Sequence, residues 1–188
     1  MNFEKIFLNV HNGNLRADLM FIGLGASLGY DWKAKPTPMA NSKSGDNFDF
    51  YLEQAGLTRY DVFTTNSVLH TPQVIELDET GKPVGRKSRD PNPEERSNCS
   101  GFIAQLIALV DPLIVIALGS KALGALTQIE DHTLSMSKAL NRMYDWNGRY
   151  LTAVFHPSPM TLNMRSKQEQ VEDYRMIVKM KERIHGGR

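Results

Sequence analysis

The sequence predicts an α/β chain, a three-layer α/β/α sandwich around a central, mostly parallel four-stranded sheet. Two observations carry this: apolar strand-like runs alternate with helix-like segments, and the clearest run, residues 113–118 (LIVIAL), is continuous and β-branched. Strands buried on both faces read as unbroken apolar runs, whereas strands wetted on one face alternate. With 188 residues and 41% hydrophobic residues, the chain suits one domain spanning residues 1–188.

Each element has a local reason. Residues 17–25 (ADLMFIGLG) form an apolar run that ends in glycines, as a buried strand does on entering a loop. A polar stretch over residues 26–43 follows; loops this long are usually functional. Residues 44–56 read as a helix, with Phe48, Tyr51, Leu52 and Ala55 at helical spacing and Gly56 at its stop. Residues 61–69 (DVFTTNSVL) are a second strand. Residues 74–87 read as a polar hairpin turning around residues 80–82, either a solvated insertion or a nucleic-acid contact.

Asn92, Pro93 and Glu95 give a cap, a first-turn proline and a capping-box partner for a helix ending before Pro112. After the 113–118 strand, Gly119-Ser120-Lys121 opens a short helix through Leu126. Residues 133–143 read as helical, residues 150–155 (YLTAVF) as the last strand, and residues 168–184 as a charged amphipathic helix.

Composition narrows the function. A net charge of +1 neither marks nor excludes a nucleic-acid binder, because a compact enzyme needs only a local basic patch. The lone Cys99 rules out an intrachain disulfide and any all-cysteine metal site within one chain. No apolar run approaches the ~20 residues of a membrane span, and the first residues lack a signal-peptide core. A cytoplasmic monomer is expected, with no cofactor and no metal. In parallel sheets, ligands bind beyond the carboxyl ends of the strands. Three loops at such ends carry the chemical residues: 23–31, 66–70 and 156–165.

The pieces, in order, resemble the uracil-DNA glycosylase superfamily, nearest its family 4 and family 5 branches. They are Gly23-Leu24-Gly25-Ala26 with Asp31, the strand-end phrase of residues 62–70 (VFTTNSVLH), the segment of residues 93–102 (PEERSNCSGF), Leu118-Gly119-Ser120-Lys121-Ala122, and His156-Pro157-Ser158. Ser44-Gly45-Asp46 also resembles a family 5 segment. The resemblance implies an enzyme that flips a uracil-like base out of DNA and hydrolyses its N-glycosidic bond. It assigns His156 as the donor to the departing base oxygen, Asn66 as the reader of the base edge, and Asp31 as the group that orients water, with Asn41 or Asp46 as alternatives. Gly23, Gly25, Ala26 and Ser27 would line the base pocket, and Tyr30, Trp32 or Phe48 would supply a stacking face.

Ser120, Lys121, Ser158 and Arg165 would hold phosphates. Pro159, Met160 and Leu162 would form a wedge in the vacated stack, although Met160 and Leu162 read equally as core. Two departures stand out. Families 4 and 5 hold an iron–sulfur cluster on four cysteines, whereas here only Cys99 matches, with His70 at a second ligand position. Leu24 replaces the acidic residue after the first motif glycine, and Met39 lies near the place of the stacking Phe. These leave room for another altered base, such as hypoxanthine, xanthine or a modified phage pyrimidine, or for a DNA-binding member without catalysis.

Overall fold

The computed structural model describes residues 13–26 and 42–187. The described elements, in chain order, are β1 (Leu19–Gly25), α1 (Lys43–Gln54), β2 (Val62–Val68), β3 (Gln73–Leu77), β4 (Pro83–Ser88), α2 (Pro93–Val110), β5 (Ile114–Leu118), α3 (Ser120–Ala125), α4 (Met136–Ala139), β6 (Tyr144–Trp146), β7 (Arg149–Val154) and α5 (Lys167–Gly186). Single 3₁₀ turns lie at Leu126–Gln128 and Pro159–Asn163.

The central sheet has the order β2-β1-β5-β7-β6. The first four strands are parallel, and β6 runs antiparallel to β7 at the edge. Strand alternation divides the core in two. Leu19 and Phe21 of β1, with Ile114 and Ile116 of β5, face α1 and α5, whereas Met20 and Ile22, with Val115 and Ala117, face α2 and α3. Every one of these side chains is fully buried, which is why both strands read as unbroken apolar runs. The three-layer α/β/α fold is the one predicted.

Three details differ from the sequence expectation. The sheet has five strands rather than four, because β6 pairs with β7 through a two-residue turn in which Trp146 faces Arg149. Asn147 and Gly148 both take positive φ there (49° and 70°), the conformation that an Asn-Gly hairpin turn favours. The expected 133–143 helix shrinks to the single turn of α4. Its continuation is lost because Leu140 becomes extended and bridges Ala153 of β7, and Asn141 then turns left-handed at φ 58°. The expected 74–87 hairpin is present as β3–β4 but stands apart as its own two-stranded sheet.

The capping box read from Asn92 and Glu95 is formed, with Glu95 N–H to Asn92 Oδ1 at 2.8 Å and Asn92 N–H to Glu95 Oε2 at 2.8 Å. A second one starts α5, through Ser166 and Glu169. Among the described residues no helix is long and apolar enough to cross a membrane.

Candidate functional site

The parallel strands end on one side of the sheet, and the loops leaving β1, β5 and β7 enclose a cleft of about 700 Å³. Gly25, Ala26, Ser120, Lys121 and His156 all line it, so five of the expected site residues converge in one place. Met164 lines it too, beyond the Pro159–Asn163 turn.

His156 stands two residues past the end of β7, and its ring is locked by its own loop. The Ser158 backbone N–H donates to His156 Nδ1 at 3.1 Å. A nitrogen that accepts carries no proton, so the neutral ring bears its hydrogen on Nε2. Burial pushes the His156 pKa below its usual 6.5, which favours this neutral form at physiological pH. The Thr161 hydroxyl spans the turn, placed 2.8 Å from the carbonyl oxygens of both His156 and Ser158. From the far side of the sheet, Asn47 Nδ2 on α1 donates to the Pro157 carbonyl at 2.9 Å. Gly119 closes the arrangement: at φ 91°, a Cβ there would lie 3.3 Å from His156 Cβ, so glycine serves both the backbone turn and the approach of the histidine.

Asn47 had no sequence signal, since its partner lies 110 residues away. Asn47→Ala is expected to slow base release roughly three- to tenfold in kcat with KM little changed, because the His156 loop loses an anchor and not a substrate contact. Steady-state kinetics on an oligonucleotide check the split, and a change confined to KM would contradict it.

Asn66 lies two residues before the end of β2, opposite Gly23 of β1. Its carboxamide lies over that glycine, where a Cβ would come within 2.4 Å of Oδ1. Asn66 is 7% exposed and its carboxamide has no hydrogen-bond partner among the described residues. It is not among the residues lining the His156 cleft. With β1 and β5 between them, the two strand ends stand about 14 Å apart across the sheet.

Several assignments change. Phe48 is no stacking face: it is fully buried, edge-on to Phe21 at 5.2 Å and to Tyr174 at 6.0 Å, with Arg59 over its ring. Arg165 is committed to Asp173, with Nε to Oδ2 at 2.5 Å and Nη2 to Oδ1 at 2.6 Å. Met160 and Leu162 are not core; Met160 is 83% exposed. Lys121 is exposed and paired to Asp90 at 2.5 Å. Ser158 Oγ accepts from the Met160 N–H, and Pro159 is exposed beside it. Asp46 is exposed at the start of α1. Ser27, Tyr30, Asp31, Trp32, Met39 and Asn41 lie outside the described residues.

A family model for the uracil-DNA glycosylase superfamily matches residues 10–177. The chain belongs to that superfamily. Membership makes it a DNA glycosylase, a hydrolase of N-glycosyl bonds. The chain is 26% identical over 172 residues to a type-4 uracil-DNA glycosylase of Thermotoga maritima, covering 91% of this chain and 80% of the relative. It is 29% identical over 170 residues to one of Saccharolobus solfataricus, covering 88% and 72%. Against one of Sulfurisphaera tokodaii it is 24% identical over 170 residues, covering 88% and 70%.

The iron–sulfur cluster that the family 4 resemblance implies does not fit the residues present. The chain has one cysteine, and one thiolate cannot do the work of four. The corner where His70 would ligate is built from ions instead. Glu95 receives Arg89 through two hydrogen bonds of 2.6 and 2.7 Å and lies 3.3 Å from His70 Nε2. The Arg89 hydrogen bonds pull the Glu95 pKa down to about 2.

Proposed function

We propose that this protein is a monofunctional glycosylase that extrudes a uracil-like base from DNA and hydrolyses its N-glycosidic bond, working as a monomer. The observation that carries the reading is the His156 ring, held neutral with its Nε2–H directed by the Ser158 N–H on the opposite nitrogen. Breaking the C–N bond leaves positive charge on the sugar and negative charge on the base. A fixed donor aimed at the base oxygen lowers the barrier because it meets that charge without reorganising.

Asn66 supports selectivity. Its carboxamide offers a donor and an acceptor side by side, matching the adjacent N–H and C=O of a uracil edge. With no hydrogen-bond partner among the described residues, both groups can serve a ligand. Gly23 lets that carboxamide lie against β1, where a Cβ would displace it. Asp31 completes the scheme by orienting the water that attacks the sugar carbon, with Asn41 or Asp46 as the alternatives. Ser120, Lys121 and Ser158 would hold phosphates beside the extruded nucleotide. The exposed Pro159 and Met160 would fill the gap in the stack, as apolar wedges do in kinked DNA.

One observation favours a different base. Leu24, and not an acidic side chain, lines the cleft after the first motif glycine. The test is a panel of oligonucleotides, each with a single uracil, hypoxanthine, xanthine or modified pyrimidine, treated with enzyme and then alkali. Cleavage at uracil is the expected result. Cleavage confined to another base moves the specificity to that base. Binding without any cleavage would overturn the glycosylase reading.

The pH dependence follows from the depressed His156 pKa. The folded protein binds this proton less readily than the unfolded chain, so the neutral ring is present above the ordinary value of 6.5 and is lost as pH falls through the lower folded value. Protonation also removes the acceptor for the Ser158 N–H. Single-turnover base release should therefore stay level down to below pH 6.5 and decline only in more acid buffer. A decline that begins above 6.5 would contradict the assignment.

A further inference from the structure

The β3–β4 hairpin is used by nothing described so far, and its two faces are unlike. Alternation along the paired strands puts Gln73, Ile75, Arg86 and Ser88 on one face and Val74, Glu76, Gly85 and Lys87 on the other. The second face neutralises itself, with Lys87 Nζ 3.6 Å from Glu76 Oε1. The first does not: Arg86 is exposed and has no hydrogen-bond or ion-pair partner among the described residues. Beside it Ile75, its partner across the hairpin, is 60% exposed. Ser88, at the base of this same face, lines the His156 cleft. The face with the uncommitted cation is thus continuous with the cleft wall.

We infer that the β3–β4 hairpin is a DNA-contacting arm that carries the substrate surface beyond the cleft, with Arg86 on a backbone phosphate. The inference rests on the DNA-glycosylase reading for its ligand. Arg86 is two residues from Ser88, about 7 Å along the strand or roughly two base-pair steps of duplex. Ile75 would pack beside it against the sugar edge. A two-stranded ribbon also has the width that a major groove admits. DNA, rather than a protein partner, is favoured by this continuity and by a positive charge with no ion-pair partner among the described residues.

The test measures binding by fluorescence anisotropy with two labelled probes that hold one uracil, a duplex of about 30 base pairs and a trinucleotide with uracil at its centre, which ends about one step short of the Arg86 position. The variants are Arg86→Ala, Arg86→Lys, and a chain with residues 74–87 replaced by a Gly-Asn-Gly turn. Arg86→Ala should weaken binding to the long duplex roughly fivefold and lower the salt slope by about one, with Arg86→Lys close to wild type. The short probe should bind all three variants as it binds wild type, and kcat should not change.

Unchanged affinity and salt slope on the long duplex would overturn the arm and leave the hairpin to a protein contact or to solvent. Equal weakening on both probes would also overturn it, by pointing to a damaged fold. Because the readout is binding, a wild-type protein that binds both probes and releases no base would refute the glycosylase reading separately.

Discussion

His156→Ala is expected to release uracil about 100-fold more slowly than wild type in single turnover, with DNA affinity nearly unchanged. The size of the effect follows from geometry. The Ser158 N–H holds Nδ1 at 3.1 Å, so the ring meets the substrate with one defined donor, Nε2–H. The ring is largely withdrawn from water, where a hydrogen bond to developing charge is strongest. Removing the side chain deletes that donor and leaves the Ser158 N–H without its acceptor. Thr161 keeps its hold on the backbone, so the variant loop stays close to its present path. A variant that cleaves within a factor of about three of wild type would show that the leaving base is stabilised by something else.

Asp173→Ala should cost about 3 kcal/mol of stability and lower the melting temperature by roughly 10 °C. Asp173 is completely buried on α5. It accepts two hydrogen bonds from Arg165 and a third from Asn141 Nδ2 at 2.9 Å. One carboxylate therefore binds α5 to two segments: the chain leaving the Pro159–Asn163 turn, and the residues just past α4. Alanine strands a guanidinium whose side chain is only 20% exposed, and the low end of the range for broken buried pairs applies because water still reaches it. Arg165 also has Glu169 at 3.5 Å as a partial substitute. Thermal and urea unfolding read the loss directly. A melting temperature within a degree or two of wild type would mean that the pair contributes no net stability.

The layers of the fold were legible because their cause is local. A strand buried on both faces must be apolar throughout, and residues 113–118 are. The α2 start was legible because Asn92, Pro93 and Glu95 each satisfy a need of a helix N-terminus. The fifth strand was missed although its signal stood in the sequence: Asn147-Gly148 between Trp146 and Arg149 is a two-residue hairpin turn. The 133–143 stretch misled because its helical spacing is overridden by a long-range demand, the pairing of Leu140 with β7.

The site was legible in part for the same reason. His156, Ser120 and Gly25 sit where strands end, and in a parallel sheet those ends must meet. Phe48 went the other way. An aromatic at helical spacing suits a core or a base stack equally, and the choice is made by Tyr174, stacked on Phe21 from a helix near the end of the chain. Arg165 reads as a phosphate ligand until Asp173 is placed beneath it. The Asn47 anchor depends on α1 packing against a loop more than a hundred residues later, and no local pattern encodes that.

The central claim is that His156 meets the charge that develops on the departing base, and the leaving group itself offers the sharpest test. 5-Fluorouracil carries negative charge more easily than uracil, so it needs less help from a donor. Single-turnover release of both bases from otherwise identical oligonucleotides should show the full His156→Ala penalty, about 100-fold, for uracil and a clearly smaller one for 5-fluorouracil. Equal penalties on the two bases would contradict the account, because His156 would then be acting in binding or folding and not on the leaving group.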